Sequence, residues 1–351
     1  MAGWEANVRK VVPYTPGEQP NCPGIVKLNT NENPYPPAPG VLRALHEMDG
    51  DALRRYPDPT VGALVKALAD YHGLSSAQVF AGVGSDDVLA MSFLTFFNGT
   101  KPILFPDITY SFYDVWAGLY GIPYECQPLD AGFYIRTEDY LKDCGGIVIP
   151  NPNAPTGMEK DLAGLEEMIA GNPGVIVIID EAYIDFGGQS VLPLLPKYEN
   201  LLIVRTFSKS RSLAGMRIGY ALGNETLIRY LNDVKYSFNS YTLSAAAIAA
   251  GVAAIRDDAY FKETLQKVIN TRERMGQELC RLGFSCLDSK SNFIFATHPR
   301  YPAKELFESL KQDGIYVRYF HKPRIDQYLR VSVGTDAEVD RLIQALEKLV
   351  L

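Results

Sequence analysis

Short apolar runs alternate with helical patterns over most of the chain from about residue 41 onward. The runs are bounded by Gly, Pro or Asn and read QVFAG, KPILF, PYECQPL, GIVIP, VIVII, LLIVRTF and RIGYAL. Segments with helical spacing fall between them, including DDVLAMSFLTFF, TYSFYDVWAGLYG and LAGLEEMIAG. This alternation predicts an α/β domain with a mostly parallel sheet flanked by helices.

The pattern changes near Leu243. A long helical stretch, SAAAIAAGVAAIRDD and onward to CRLG, precedes the strand-like runs FSCLD, NFIFATH, IYVRYF and YLRVSVG. Two further helical segments, AKELFESLKQDG and AEVDRLIQALEKLV, complete this part, which predicts a smaller α+β domain. The first 40 residues are rich in Pro and Asn, and we expect an ordered, extended arm that lies over a site. The predicted divisions are an arm at 1–40 associated with the small domain, a large domain at 41–245, and an interdomain helix with the small domain at 246–351.

Composition narrows the functional classes. The 351 residues are 47% hydrophobic and carry a formal charge of −7, which disfavours non-specific binding to nucleic acid. No apolar run approaches the roughly 18–20 residues of a membrane span, and the first residues lack the apolar core of a secretory signal. The five cysteines and four histidines form no CxxC or paired-ligand spacing, so we expect reduced thiols, a cytoplasmic protein and no metal.

Two residues follow apolar strands in positions where α/β sheets bind ligands. Asp180 ends the run Val175 to Ile179, and Lys209 follows the run LLIVRTF. A carboxylate beside a buried strand is costly unless it is paired or takes part in chemistry, although Asp180 alone could cap a turn. Lys209 alone could be a solvated surface residue, but Ser208 and Arg217 beside it favour a pocket for an anion and a Schiff base.

Two turns add to this pattern. NPNAPTG, residues 151–157, directly follows the strand GIVIP and could be turn chemistry only. In AGVGSDDVL a glycine-rich turn opens a helix, so the backbone N–H groups of Ser85 and Asp86 could hold a phosphate. The alternative is a tight βα turn without a ligand.

The order of these motifs resembles the fold-type-I pyridoxal 5′-phosphate enzymes, and specifically the aminotransferase family. The features are the glycine turn, TYSFY, NPNAPTG, the strand with DEAY, TFSKS and Arg217. KLNTNENPYPPAP, YPDP at 56–59 and YLRVSVGT are similar to the histidinol-phosphate aminotransferase subfamily. The resemblance spans Tyr14 to Thr335.

The resemblance implies a role for each matching residue around the cofactor ring. Lys209 would form the Schiff base and then move the proton at the substrate Cα. Asp180 would pair with the pyridine nitrogen, Tyr183 would donate to the phenolic oxygen, and Tyr110 would stack on the ring. The family commonly has Asn before Pro-Thr-Gly, where this chain has Ala154; Asn153 is the candidate replacement.

The resemblance also implies how the cofactor phosphate is held. The amides of Ser85 and Asp86, together with Ser208 and Arg217, would bind the dianion. Tyr56 of YPDP would reach the phosphate of the neighbouring subunit, which makes the expected active site that of a homodimer.

On the substrate side, the resemblance places Arg330 on the substrate acid, and Arg318 and Tyr14 on the substrate phosphate. Asn31 is also assigned to substrate binding. The implied reaction is transamination of L-histidinol phosphate with 2-oxoglutarate in histidine biosynthesis. An aromatic aminotransferase or a threonine-phosphate decarboxylase on the same scaffold remains an alternative. A non-catalytic ligand sensor is a third, disfavoured by the presence of Lys209 and Asp180.

Overall fold

A computed structural model describes residues 3–20 and 22–351. The helices are α1 (Pro39–His46), α2 (Gly50–Leu53), α3 (Gly62–His72), α4 (Gly84–Phe96), α5 (Tyr113–Tyr120), α6 (Leu162–Gly171), α7 (Glu225–Phe238), α8 (Ala245–Arg256), α9 (Asp258–Arg281), α10 (Ala303–Gln312) and α11 (Asp336–Val350). The strands are β1 (Val26–Lys27), β2 (Val79–Gly82), β3 (Ile103–Pro106), β4 (Tyr124–Gln127), β5 (Gly146–Pro150), β6 (Val177–Asp180), β7 (Leu201–Thr206), β8 (Gly219–Gly223), β9 (Ser285–Cys286), β10 (Phe293–Thr297), β11 (Ile315–Tyr316), β12 (Arg318–Tyr319) and β13 (Leu329–Ser332).

The central sheet has the strand order β2-β8-β7-β6-β5-β3-β4. β8 runs antiparallel to both of its neighbours, and the pairs from β7 to β4 are parallel. Helices cover both faces, so the predicted α/β fold with a mostly parallel sheet is confirmed. Parallel strands joined by crossover helices place their carboxyl ends along one edge of a sheet.

The central strands are buried on both faces, as their continuous apolar runs predict. Side chains alternate between two hydrophobic clusters, with Ile147, Ile149 and Ile179 in one and Val148 and Ile178 in the other. Because successive strand residues point to opposite faces, each run supplies both layers of core. The polar residues that end these strands therefore mark where the core stops.

A second sheet, with the order β12-β13-β10-β9, is antiparallel. It shares a hydrophobic cluster with α9, α10 and α11. Thr335 begins α11 with a capping box in which its hydroxyl accepts from the Glu338 amide and the Glu338 carboxylate accepts from the Thr335 amide.

The single strand predicted for IYVRYF is wrong in detail. The run divides at Val317: β11 pairs in parallel with β1 of the arm, and β12 pairs with β13. Val317, between the two strands, belongs to neither ladder. The long helical stretch after Leu243 is likewise divided, into α8 and α9, at Asp257.

In the described part of the chain, no helix is both long enough and apolar enough to cross a membrane.

Candidate active site

A cavity of about 190 Å³ lies at the carboxyl ends of β6 and β7. Its walls come from these strand ends, the first turn of α4, the loop before β8 and the arm. Most of the residues predicted for the cofactor site line it: Ser85, Asp86, Tyr110, Asp180, Tyr183, Ser208, Lys209 and Arg217. The structure therefore brings together side chains that lie up to about 130 positions apart in the sequence.

Asp180 lies at the floor of the cavity and is 5% exposed. Its Oδ2 accepts from the Tyr113 hydroxyl at 2.7 Å, and its Oδ1 accepts from the Ala182 amide at 3.2 Å. Burial raises the pKa of Asp180 to about 6, although the Tyr113 and Ala182 hydrogen bonds oppose this shift. A carboxyl group in this setting would be stabilised in its ionised form by a cation in the cavity.

Lys209 extends into the cavity from the loop after β7. Its Nζ donates to the carbonyl of Thr30 at 3.3 Å and lies 5.7 Å from the centre of the Tyr183 ring. The Asn33 side-chain amide donates to the backbone carbonyls of Lys209 and Ser210, at 3.0 and 3.2 Å. The arm thus fixes the Lys209 backbone and leaves its amine without a carboxylate partner among the described residues.

The first turn of α4 forms the other end of the cavity. Arg217 donates to the Asp86 carboxylate at 3.2 Å and to the Ser208 hydroxyl at 3.4 Å. Gly84 has φ +84°, and a Cβ there would lie 2.5 Å from the Arg217 guanidinium. A Cβ on Gly219 would lie 2.3 Å from the Ser85 nitrogen. Glycine at both positions lets backbone, guanidinium and helix N-terminus converge, an arrangement whose donors could bind an anion.

Tyr110 closes the cavity beside this turn. Its hydroxyl donates to Asp86 at 2.8 Å, and burial, with the nearby Asp86 charge, raises the pKa of Tyr110 well above its usual value. The phenol therefore stays protonated and presents an aromatic ring to the cavity. The helix predicted from Thr109 begins only at Tyr113, so Tyr110 lies in the preceding turn.

Asn153 does not line the cavity. Its Nδ2 donates to the Ile108 carbonyl at 2.9 Å, and its Oδ1 accepts from the Thr109 hydroxyl at 3.1 Å. Ala154 occupies the cavity wall instead. In this conformation, the Asn153 amide is committed to the loop before α5, and the structure does not direct it to a bound ring.

A second cavity, of about 280 Å³, adjoins the first and shares Lys209 and Tyr183 with it. The residues predicted for the substrate all line this second cavity: Tyr14, Asn31, Arg318 and Arg330. Tyr14 stacks on Phe112 with ring centroids 4.2 Å apart, which holds the arm against the loop before α5. Arg330 lies 5.3 Å over the Phe293 ring and donates to the Asn29 carbonyl at 3.2 Å.

Tyr56 lies outside both cavities. It is 82% exposed and stacks on Tyr241 with ring centroids 4.7 Å apart. Within the described part of this one chain, it therefore makes no contact with the predicted phosphate site.

Sequence reasoning missed several residues of the site. Tyr113, which bonds Asp180, lies in TYSFY three positions after Tyr110, and that repeat was a usable signal. Glu32 lines the first cavity, where nearby lysines and Thr30 lower its pKa against the effect of burial. The local sequence pattern does not show that Glu32 lines the cavity and that its neighbour Asn33 instead contacts the Lys209 backbone. Within residues 3–20 and 22–351, no group of three or more His, Cys, Asp or Glu could hold a metal ion.

Known proteins share this sequence and fold over nearly their full length. Residues 23–346 match the family described as aminotransferase class I and II. The histidinol-phosphate aminotransferase of Aromatoleum aromaticum is 51% identical over 351 residues, covering 99% of each chain. That of Lactococcus lactis subsp. cremoris is 50% identical, covering 98% of this chain and 97% of its own.

A solved structure agrees with these relatives. The histidinol-phosphate aminotransferase of Sinorhizobium meliloti, in complex with pyridoxal 5′-phosphate, superimposes with a TM-score of 0.86 at 26% identity. The match covers 93% of this chain and 90% of that one. The chain therefore belongs to the class I and II aminotransferases and, within them, to the histidinol-phosphate aminotransferases.

Proposed function

We propose that this chain is a pyridoxal 5′-phosphate-dependent aminotransferase that converts L-histidinol phosphate and 2-oxoglutarate to imidazole-acetol phosphate and L-glutamate. The observation that carries the substrate assignment is a pair of arginines, Arg318 and Arg330, in a cavity that opens onto Lys209. The two histidinol-phosphate aminotransferases that are 51% and 50% identical to this chain in sequence support the same reaction.

Arg330 is a cation without a counter-ion among the described residues. Its Nε is buried and has no hydrogen-bond partner there. Burial and the neighbouring Arg318 lower the pKa of Arg330, because both disfavour the charged form. A guanidinium held in this way gains most from an anion that binds through two oxygens, such as a carboxylate or phosphate.

The residues of the first cavity fit pyridoxal 5′-phosphate. The α4 N-terminus, Ser208 and Arg217 form a donor set for the phosphate dianion. Asp180 is a buried carboxyl that lacks a cation, and a protonated ring nitrogen would supply one. Tyr110 offers an aromatic face to the ring.

When bound, this cofactor supplies an electron-withdrawing ring that takes up the electrons released at the substrate Cα. With the cofactor bound, Lys209 would hold it covalently and, once released from it, would move the proton at the substrate Cα. Asp180 would keep the ring nitrogen protonated, and Tyr183 would donate to the phenolic oxygen. Because the same site takes the amino donor and then the keto acceptor, the kinetics are ping-pong.

A substrate panel tests the reaction. Purified protein is given histidinol phosphate, aromatic amino acids or threonine phosphate, each with 2-oxoglutarate, and glutamate, keto product and CO₂ are measured. We expect histidinol phosphate to give the highest kcat/KM and no CO₂. Equal or faster turnover of phenylalanine or tyrosine would replace the assignment with an aromatic aminotransferase, and CO₂ release from threonine phosphate would replace it with a decarboxylase.

The Asp180 carboxyl gives the cofactor-free protein a characteristic pH dependence. Its raised pKa, about 6, means that the folded state keeps a proton that the unfolded chain releases near pH 4. The contribution of Asp180 to stability should therefore fall as pH rises from about 4 to 6, by about 3 kcal/mol. Cofactor-free Asp180→Asn lacks this loss, so its thermal midpoint should rise relative to wild type between pH 4 and pH 7. A difference between the two proteins that does not change with pH would contradict this prediction.

We also propose that the enzyme is a homodimer. Tyr56 and Tyr241, which stack on each other, are both exposed, and so are Leu53 of α2 and Tyr236 and Phe238 of α7. Exposed apolar patches of this kind mark protein interfaces. Lys235 of α7 donates to the Pro59 carbonyl at 2.8 Å and so anchors the segment that carries Tyr56. This arrangement supports a role for Tyr56 at the phosphate site of the partner subunit.

Mixed dimers test that role. Tyr56→Ala and Lys209→Ala should each impair the enzyme alone. When the two are co-expressed, half of the dimers contain one site with both defects and one intact site, so activity should recover to about a quarter of wild type. If Tyr56 acts within its own chain, each site of the mixed dimer keeps one defect and no recovery occurs.

Two further proposals concern organisation. The division into an arm at 1–40, a large domain at 41–245 and a smaller part at 246–351 is supported by the hydrophobic cluster that joins the second sheet to α9, α10 and α11. The helix α8, at the start of the smaller part, packs instead on α1 and α3 in a cluster of the large domain. A cytoplasmic location is supported by the five unpaired cysteines.

A further inference from the structure

Asn31, a residue of the arm, lies between the second sheet and the second cavity. It is 1% exposed and has φ +56°, a left-handed conformation that Asn tolerates better than most residues. Its Nδ2 donates to the Tyr183 hydroxyl oxygen at 2.9 Å. Its Oδ1 accepts from the Ser332 hydroxyl at 2.9 Å, and its carbonyl accepts from the Asn292 amide at 3.0 Å.

The direction of these hydrogen bonds is set at their buried end. The backbone N–H of Asn31 can only donate, and it donates to the Ser332 oxygen at 2.8 Å. The Ser332 proton is then directed to Asn31 Oδ1, its one acceptor in the described structure. Since Oδ1 is the acceptor, Nδ2 must face Tyr183 as a donor.

This polarity has a consequence at Tyr183. A phenol has one proton, and its oxygen already accepts from Asn31, so the proton is free to point into the cavity. With an acceptor in place of Nδ2, the same proton would point away from the cavity, toward residue 31. The side chain at position 31 therefore decides what Tyr183 can donate to.

We infer that Asn31 and Ser332 are positioning residues that aim the Tyr183 proton at the phenolic oxygen of the cofactor. This inference rests on the proposed function of Tyr183. It gives Asn31 a role in orienting Tyr183, in addition to the substrate binding expected from the sequence. Ser332 is 3% exposed and lines neither cavity, so any effect of Ser332 on the cofactor must pass through Asn31.

The effect can be read from the bound cofactor without measuring turnover. The phenolic oxygen helps to hold the proton of the neighbouring Lys209 linkage, and a hydrogen-bond donor to this oxygen weakens that hold. Loss of the donor should therefore raise the pH at which the proton leaves. The charged and titratable groups that share the two cavities with Tyr183 and Lys209 are Tyr14, Glu32, Asp86, Tyr110, Asp180, Arg217, Arg318 and Arg330. None of them is altered in the variants below.

The first experiment uses Ser332→Ala holoenzyme, with the visible absorbance of the cofactor followed as a function of pH. Without the Ser332 proton, the Asn31 amide is no longer held in one orientation. We expect the midpoint of the absorbance titration, at which the proton of the Lys209 linkage leaves, to rise by about half a pH unit. Ser291→Ala is the matched control, because Ser291 is fully buried nearby and its hydroxyl has no partner in the described structure. The midpoint of Ser291→Ala should equal that of wild type. If the midpoint of Ser332→Ala also equals that of wild type, the inference is overturned.

The second experiment uses Asn31→Asp, which keeps the shape and tolerates the left-handed backbone but only accepts when ionised. We expect its midpoint to rise by about one unit, toward that of Tyr183→Phe. In a Tyr183→Phe background, the same substitution should add little. An equal rise in both backgrounds would show a through-space charge effect and overturn the inference. If Tyr183→Phe itself leaves the midpoint unchanged, the proposed role of Tyr183 fails instead.

Discussion

Replacing Lys209 with alanine should lower kcat at least about 10³-fold, because both the covalent attachment and the group that moves the Cα proton are lost. Its amine is held at the cavity by the Thr30 carbonyl, with the backbone fixed by Asn33. Turnover of histidinol phosphate by wild type and by the variant, at saturating cofactor, measures the loss.

The attachment itself is tested by reduction with borohydride followed by peptide mapping. In wild type, the cofactor should be fixed to the peptide that contains Lys209, and in Lys209→Ala it should be removed by dialysis. Lys209→Arg is the matched control, since it keeps a cation but forms no such bond and should be as inactive as alanine. Cofactor fixed to another lysine in Lys209→Ala, with activity retained, would refute the proposed site.

Replacing Arg330 with methionine should lower kcat/KM for histidinol phosphate about 10²- to 10³-fold. Arg330 is the cation whose Nε has no partner among the described residues, and it packs between the Phe293 and Phe320 rings. Methionine keeps much of the apolar stem and so preserves that packing. Initial-rate kinetics with both substrates measure the effect, because 2-oxoglutarate also presents an acid to this site.

Arg318→Met is the comparison for this prediction. Arg318 lies on β12, next to β13, and its guanidinium is 5.4 Å from the Phe320 ring. As the assigned phosphate contact, it should matter for histidinol phosphate and little for 2-oxoglutarate, whereas Arg330→Met should impair both. Identical effects of the two variants on both substrates would contradict the separate roles.

The local pattern of apolar and polar residues was sufficient to predict the α/β scaffold and the residues at the ends of its strands. Apolar runs buried on both faces, such as residues 177–179, can be recognised because each residue must be apolar whichever face it points to. The polar residue that ends such a run lies where parallel α/β sheets bind ligands, so Asp180 and Lys209 could be placed at one edge before any coordinates were known.

The same pattern could not predict which hydrogen-bond partner a side-chain amide or hydroxyl would find. The sequence predicts that Asn153 faces the cavity, but its side-chain amide donates to the Ile108 carbonyl. The sequence pattern assigns no role to Tyr113, but its hydroxyl donates to Asp180. Hydrogen-bond partners are chosen among groups that become neighbours only after folding, so sequence spacing carries little information about them.

The sequence by itself determined the α/β scaffold and the strand-end residues Asp180 and Lys209, because burial and periodicity are properties of each segment alone. The family followed from the sequence too, through the resemblance carried by the order of its motifs. Only the tertiary structure decided the division of IYVRYF between two sheets and which residues of the arm line the cavities. It alone also decided the contact chain from Ser332 through Asn31 to Tyr183, since its members lie up to 301 positions apart. Contacts over such separations depend on how the segments pack, which no single segment encodes.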